Sequence, residues 1–424
     1  MTRSIIPLST LLMLVACVSS LSAQGLALRG VGAVNNSMAG ASVAAPIDAA
    51  GAIHWNPASI AEFRHNEATF GLGLVLPDTQ VASSVPTPFG VLSGSSSSES
   101  GVSPIPTMAI VHTTRNPRIN FGLGAYAIAG FRVNYNASTS NPILLPQGSL
   151  APLPTFGRVN TEAEFFQIAP TVSIALTERL SIGIAPTLTI GRLEINPLFA
   201  AAPVNGQYPT SAGSRFAFGG GAQFGVYYAP NAHWRFGASY KSEQWIEDFR
   251  FQFQDASGAP SVTTADFEYP SIVSIGTSYT GIPGVVWALD ARYFDYEHAR
   301  GFGTGGFSPR GELLGTGWRS VYSFATGVQT QLNHRVKLRF GHVYNTNPIA
   351  SDNLLINSVA PLITEHISSV GASVGLTKNL TANLAYLHAW ENQISGPFIP
   401  QVPGSTITLN TRADLLTGSL TLKW

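Results

Sequence analysis

The stretch Gln24-Gly25-Leu26-Ala27-Leu28-Arg29-Gly30-Val31-Gly32, then an alanine- and glycine-rich run over residues 38–53, then His54-Trp55-Asn56-Pro57-Ala58-Ser59-Ile60, decides how the rest of the chain is read. Alanine favours helix, but Gly40, Pro46 and Gly51 interrupt one, so two or three short helical turns are expected rather than a rod. Nearly every side chain is small. Such a segment buries too little apolar surface to fold alone, yet it can fit closely inside another structure.

Composition says what that other structure is. The chain has 424 residues, 45% of them hydrophobic and only 11% charged, so something other than solvated charge must cover its outside. Lys plus Arg and Asp plus Glu number 23 each, which leaves no net field to attract nucleic acid or an acidic surface. The single cysteine, Cys17, precludes a disulfide scaffold. Arg3, the interrupted apolar run over residues 5–18 and the small residues up to Ala23 read as a secretory leader over residues 1–23, with cleavage after Ala23. Leu14-Val15-Ala16-Cys17 also resembles a lipobox, which would make Cys17 a lipidated N-terminus instead. Beyond the leader no apolar run approaches the roughly 18 residues of a membrane helix, although mean hydropathy is positive. An exported, apolar, helix-poor chain points to a membrane β-barrel, in which only alternate residues face lipid.

From about residue 66 the period is two: Leu180, Ile182, Ile184, Leu188 and Ile190 share one face, and Ser181, Gly183, Thr187 and Thr189 the other. Strands are expected near residues 66–76, 105–114, 119–131, 161–176, 180–193, 215–229, 234–251, 264–280, 284–297, 315–331, 335–346, 362–376, 380–393 and 407–424. Short links alternate with long ones, as tight periplasmic turns alternate with long outer loops in an outer-membrane barrel. Aromatics such as Trp234, Trp287, Trp318, Tyr322, Tyr386 and Trp390 are placed to form interfacial girdles. Alternation persists to the terminal Trp424 and resembles the C-terminal signal read by the barrel-insertion machinery.

The order of small residues, the acid at Asp48 and the triplet Asn56-Pro57-Ala58 resemble the N-terminal hatch of the FadL/TodX family of outer-membrane transporters for hydrophobic compounds. The resemblance implies an all-β transmembrane barrel of about fourteen antiparallel strands (residues 66–424), plugged by a partly helical hatch (residues 24–65). It also implies a kink in the third strand that opens the wall sideways, met by Asn56, Pro57 and Ala58. Candidates for that kink are Gly122, Gly124, Gly130 and Phe131, since glycine weakens a strand and an asparagine amide can satisfy the freed ladder groups.

Parity directs Arg215, Arg235, Lys241, Arg292, Arg319, Lys337 and Arg339 inward, where a fatty-acid carboxylate would need a cation. The same cations would equally serve only to pair lumen acids such as Asp290. Apolar, proline-rich loop segments, among them residues 141–146, 150–156, 197–200, 354–356 and 397–400, are expected to form an exposed rim that captures lipophilic molecules.

No H-E-x-x-H or G-x-S-x-G occurs, and Gly301-Phe302-Gly303-Thr304-Gly305-Gly306 leads into Phe307-Ser308-Pro309 rather than a helix. The expected function is passive outer-membrane uptake of fatty acids or aromatic hydrocarbons in a Gram-negative cell. It needs no cofactor, metal or enzymatic step, and its expected partners are the hydrophobic substrate, outer-membrane lipid and the barrel-assembly machinery; the protein is read as a monomer. An outer-membrane hydrolase and an adhesive barrel are the alternatives.

Overall fold

The computed structural model describes residues 25–151, 154–255, 257–399 and 401–424. The leader, its cleavage site, Cys17 and Gln24 lie outside the described residues. A 14-strand antiparallel sheet closes on itself. Its strands are β1 (Glu67–Thr87), β2 (Ser103–Thr113), β3 (Ile119–Tyr135), β4 (Val159–Ala175), β5 (Leu180–Asn196), β6 (Ala217–Tyr228) and β7 (Trp234–Lys241). They continue as β8 (Ile272–Tyr279), β9 (Val285–Phe294), β10 (Val321–Gln331), β11 (Val336–Asn345), β12 (His366–Gly375), β13 (Leu380–Pro397) and β14 (Thr406–Lys423). Closure comes from β1, which pairs with β14 on one side and with β2 on the other.

Period-two alternation produces this wall. On β1, Phe70, Leu72, Leu74 and Leu76 face outward and are exposed, as are Leu416, Leu420 and Leu422 on β14. An apolar exterior of this extent requires a bilayer rather than water around it. No helix among the described residues is long and apolar enough to cross a membrane. The tight turns and the end of β14 gather at one rim, and the long loops at the other, as expected from the alternating link lengths.

Three local expectations are revised. The strand expected over residues 234–251 ends at Lys241, because the polar run that follows turns into the lumen, where Gln244 Oε1 accepts from Thr187 and Thr189 at 2.7 and 2.9 Å. Residues 264–265 belong instead to a separate hairpin, Phe249–Gln254 with Pro260–Ala265. Trp318 joins no girdle: it is buried under the loops, with Nε1 donating to Asn357 Oδ1 at 2.6 Å.

The outer loops also differ from the exposed rim. Ile143, Leu144, Leu198, Phe199, Leu354 and Phe398 are buried against one another, with Phe156 edge-on to Phe199 at 4.8 Å. Apolar loop residues in water collapse onto each other, and here they build a cap over the barrel mouth.

Candidate transport site

Residues 25–65 lie inside the cylinder. Of the three short turns, Gly32–Asn36, Ala49–Trp55 and the 3-10 turn Pro57–Glu62, the first two are separated by the segment holding Gly40 and Pro46 and the third starts at Pro57, whereas Gly51, expected as a break, lies inside the second turn. A plug this short of regular structure leaves many backbone carbonyls unpaired, and inward side chains from around the wall supply the donors. Ser173 Oγ donates to Ala58 O (2.9 Å), Gln223 Nε2 to His54 O (3.0 Å), Ser278 Oγ to Ala44 O (2.6 Å), and Ser369 Oγ to Ser37 O (3.1 Å). On β9, Asp290 Oδ2 accepts from the amides of Ser42 (2.7 Å) and Val43 (3.1 Å) and from Arg292 Nη2 (2.6 Å). Arg292 also donates to Gly40 O at 2.6 Å and lies 3.6 Å from the Trp55 ring centroid.

Asn56 is the hub of this seating. Its Oδ1 caps the 3-10 turn by accepting from Ala58 N (3.1 Å), while Nδ2 donates to Val43 O (2.9 Å) and to Val226 O on β6 (3.0 Å). Proline follows at the first position of the turn, where its missing donor costs nothing. The triplet can approach the wall this closely only because Gly183, Gly225 and Gly237 are there: a Cβ at these positions would meet Ala58 N, Asn56 Oδ1 and Val43 O respectively. Asn56, Pro57 and Ala58 therefore meet β4 to β7, not the third strand.

The third strand is nonetheless broken. Against β4, Ala127 stands opposite Phe166 and Ala129 opposite Phe165, leaving Ile128 as a bulged residue. Pairing of β3 with β2 stops at Tyr126 and Thr107, although β2 continues beside β1 to Ser103. Higher up, Glu99 N donates to Asn134 O at 2.7 Å, so the wall closes again. The result is a window between β2 and β3. Its β2 edge carries Pro104 and Pro106, which have no N–H to offer a neighbouring strand. Gly122 and Gly124 are not at the break; they pair regularly and make room for Ile53 of the hatch. Gly130 and Phe131 do border the window.

Into the window reaches the start of the hatch. Ala27 bridges Ala129, Leu28 N donates to Ile128 O at 2.8 Å, and Ala27 N donates to the Tyr296 hydroxyl at 3.1 Å. Beside this strap lies a cavity of about 360 Å³, lined by Leu28, Arg29 and Asn36 from the hatch and by residues 103–107, 127 and 129–133 from the window. Its lining continues to Phe166, Ile190 and Phe216 on the outer face of the wall. A smaller apolar cleft under the loop cap shares Phe131, Ala163 and Phe165 with it and is walled by Phe199, Phe267, Phe302 and Trp318.

The cations singled out by parity are not in this cavity. Arg215 and Arg319 are exposed residues just outside strand ends, where parity no longer holds. Arg235 donates to Thr280 Oγ1 at 2.7 Å near the turn-side rim, and Arg292 is consumed by Asp290. Lys337 and Arg339 line a separate 640 Å³ cavity at the turn-side end, with Asp48, Glu67 and Lys423. Arg339 there donates to Gln329 (2.8 Å) and Ser373 (2.7 Å). Two cations do lie beside the window: Arg132 on β3, 3.8 Å from Glu162, and Arg29, which lies in the hatch and so carries no strand parity that would single it out.

Asp48 gives the hatch a pH dependence. It caps the turn Ala49–Trp55 by accepting from Gly51 N at 3.3 Å, and burial, reinforced by Glu67, pushes its carboxyl from 3.8 up to about 7. A folded-state value above the unfolded one means that the seated hatch favours the protonated acid. The Asp48 contribution is therefore most favourable below 3.8, weakens as pH rises through about 7, and stays unfavourable above it. Asp48→Asn keeps a capping oxygen without the charge. Hydrogen-exchange protection of residues 49–55 is expected to be higher in D48N than in the parent at pH 8, with the gap narrowing as pH falls through about 7 and closing only near 3.8.

A closed barrel with an apolar exterior, a buried N-terminal plug and a window in its wall defines an outer-membrane channel for hydrophobic compounds. The profile of the family described as outer membrane protein transport protein (OMPP1/FadL/TodX) matches residues 14–397, and the chain belongs to that family. The P. putida toluene transporter TodX is similar in structure, at 16% identity and TM-score 0.69 over 94% of this chain and 99% of that one. A Pseudomonas aeruginosa FadL homologue gives 14% identity and TM-score 0.71, and the Ralstonia pickettii toluene transporter TbuX 17% and 0.69, each over 94% of this chain and 99% of the other. No curated protein sequence matches the chain.

Proposed function

We propose that a hydrophobic solute enters beneath the loop cap, binds in the apolar cleft, passes the strap at residues 26–28 and leaves through the window between β2 and β3 into the bilayer. The observation that carries this reading is the cavity that runs from the hatch to the outer face of the wall at the one place where β2 and β3 part. Sideways exit keeps apolar surface out of water, which would otherwise cost about 0.8 kcal/mol per methylene. The strap, rather than Asn56, is the moving part. Asn56 anchors the hatch on the far side, so a short N-terminal displacement can clear the window while the plug body stays seated.

In this reading residues 1–23 are removed as a leader, residues 24–65 form the plug and residues 66–424 the barrel, inserted as a monomer by the barrel-assembly machinery without cofactor or catalysis. Ser368 and His342 do lie 3.1 Å apart, but on the outward face of mid-strand residues, which gives a hydrolase no water-excluded pocket. Expression in an outer-membrane host lacking such a channel is expected to raise uptake of radiolabelled hexadecane, and an uncoupler should leave the rate unchanged. Uptake equal to that of the empty host would refute the reading.

A further inference from the structure

The window cavity is mostly apolar, yet two guanidiniums line it: Arg132, which faces Glu162 at 3.8 Å, and Arg29, which faces no acid among the described residues. Arg29 Nη2 donates to Thr364 Oγ1 at 2.7 Å, its Nε is buried without a partner, and no carboxylate among the described residues lies within ion-pairing distance. Arg292, by contrast, sits 2.6 Å from Asp290. A guanidinium left uncompensated in a poorly hydrated site is unfavourable until an anion reaches it, and a carboxylate matches its fork of donors. Burial lowers the Arg29 pKa only to about 10, so the group remains charged at neutral pH.

We propose that Arg29 is the specificity-determining residue of this channel and holds the carboxylate of an amphiphile whose apolar body occupies the cavity and the adjoining aromatic cleft. This rests on the cavity being the transport route. It selects, among hydrophobic molecules, those bearing a single anionic head. The remaining charged groups set the orientation. Glu162, 3.8 Å from Arg132, and Glu164 line the outer part of the same cavity. These acids repel a carboxylate from the outer end and direct it to the hatch, where Arg29 adjoins the strap that fills the window.

The test compares palmitate with hexadecanol, which share a chain and differ in the head. Binding of each to the detergent-solubilised, full-length mature protein is measured by calorimetry at pH 8. The parent is expected to bind palmitate at least about tenfold more tightly than hexadecanol, as a charge-assisted pair implies. Arg29→Met should abolish that preference while leaving hexadecanol affinity within about twofold, and Arg29→Lys should restore part of it. Heat-modifiable gel mobility verifies that each barrel is folded. Equal affinity of the parent for the two ligands, or equal loss of both in R29M, would overturn the assignment while leaving the channel intact. If the parent binds neither, both the assignment and the proposed route fail.

Discussion

Asp290→Ala is expected to unseat the hatch while leaving the barrel closed. Both side chains of the Asp290–Arg292 pair are completely inaccessible, and the two together hold the amides of Ser42 and Val43 and the carbonyl of Gly40. Removing the acid leaves a buried guanidinium without its counter-charge, a change that typically costs about 3–5 kcal/mol, or two to nearly four orders of magnitude in an opening equilibrium. The wall does not share the cost, because the Asp290 backbone keeps its ladder partners Gly276 and Ala325. Hydrogen exchange over residues 38–47 should accelerate by about a hundredfold or more while the strands remain protected. In planar bilayers the same variant should show openings of much larger conductance than the parent. Unchanged exchange would mean that the other bonds around the plug suffice.

Deleting Ile128 is the second large perturbation, and its target is the window. Because Ile128 is an extra residue, its removal leaves Ala127 opposite Phe166 and Ala129 opposite Phe165 in unbroken alternation. No side chain beyond it changes face, which an ordinary one-residue deletion in a strand would cause. The straightened β3 loses the kink that parts it from β2, and the strap loses its bond from Leu28 N to Ile128 O. Uptake of a hydrophobic solute is expected to fall at least about tenfold, since a route through the polar lumen exposes each methylene to water. Barrel assembly, read by heat-modifiable mobility, should be unaffected.

The architecture could be read from the residues because it rests on local rules. Alternation over residues 180–190 marks β5 directly, and the small residues around Asn56 mark a segment that must be enclosed. The window was only half legible. Glycines in the third strand were the obvious weak points, yet Gly122 and Gly124 serve the hatch, and the break falls on Ile128, which no propensity distinguishes. The better signal was Pro104-Ile105-Pro106 in the strand before it, because proline inside a strand marks an edge with no neighbour to pair. Lumen cations were misjudged where parity was extended past strand ends, as at Arg215 and Arg319. Arg29 escaped because a plug residue has no period to read. The loops misled for a different reason: hydrophobic composition shows that a segment seeks cover, but only the fold shows that the loops cover one another.

Sideways exit is the claim on which the rest turns, and site mapping with a photoreactive lipophilic probe tests it most directly. A diazirine-bearing hexadecane analogue is added to the reconstituted protein, activated by light, and its adducts are located by peptide mass spectrometry. Adducts on residues 103–107 and 127–133, at the two edges of the window, are the predicted result. Adducts concentrated instead around Lys337, Arg339 and Lys423, at the turn-side cavity, would show that the solute crosses the hatch into the periplasm and would contradict the account.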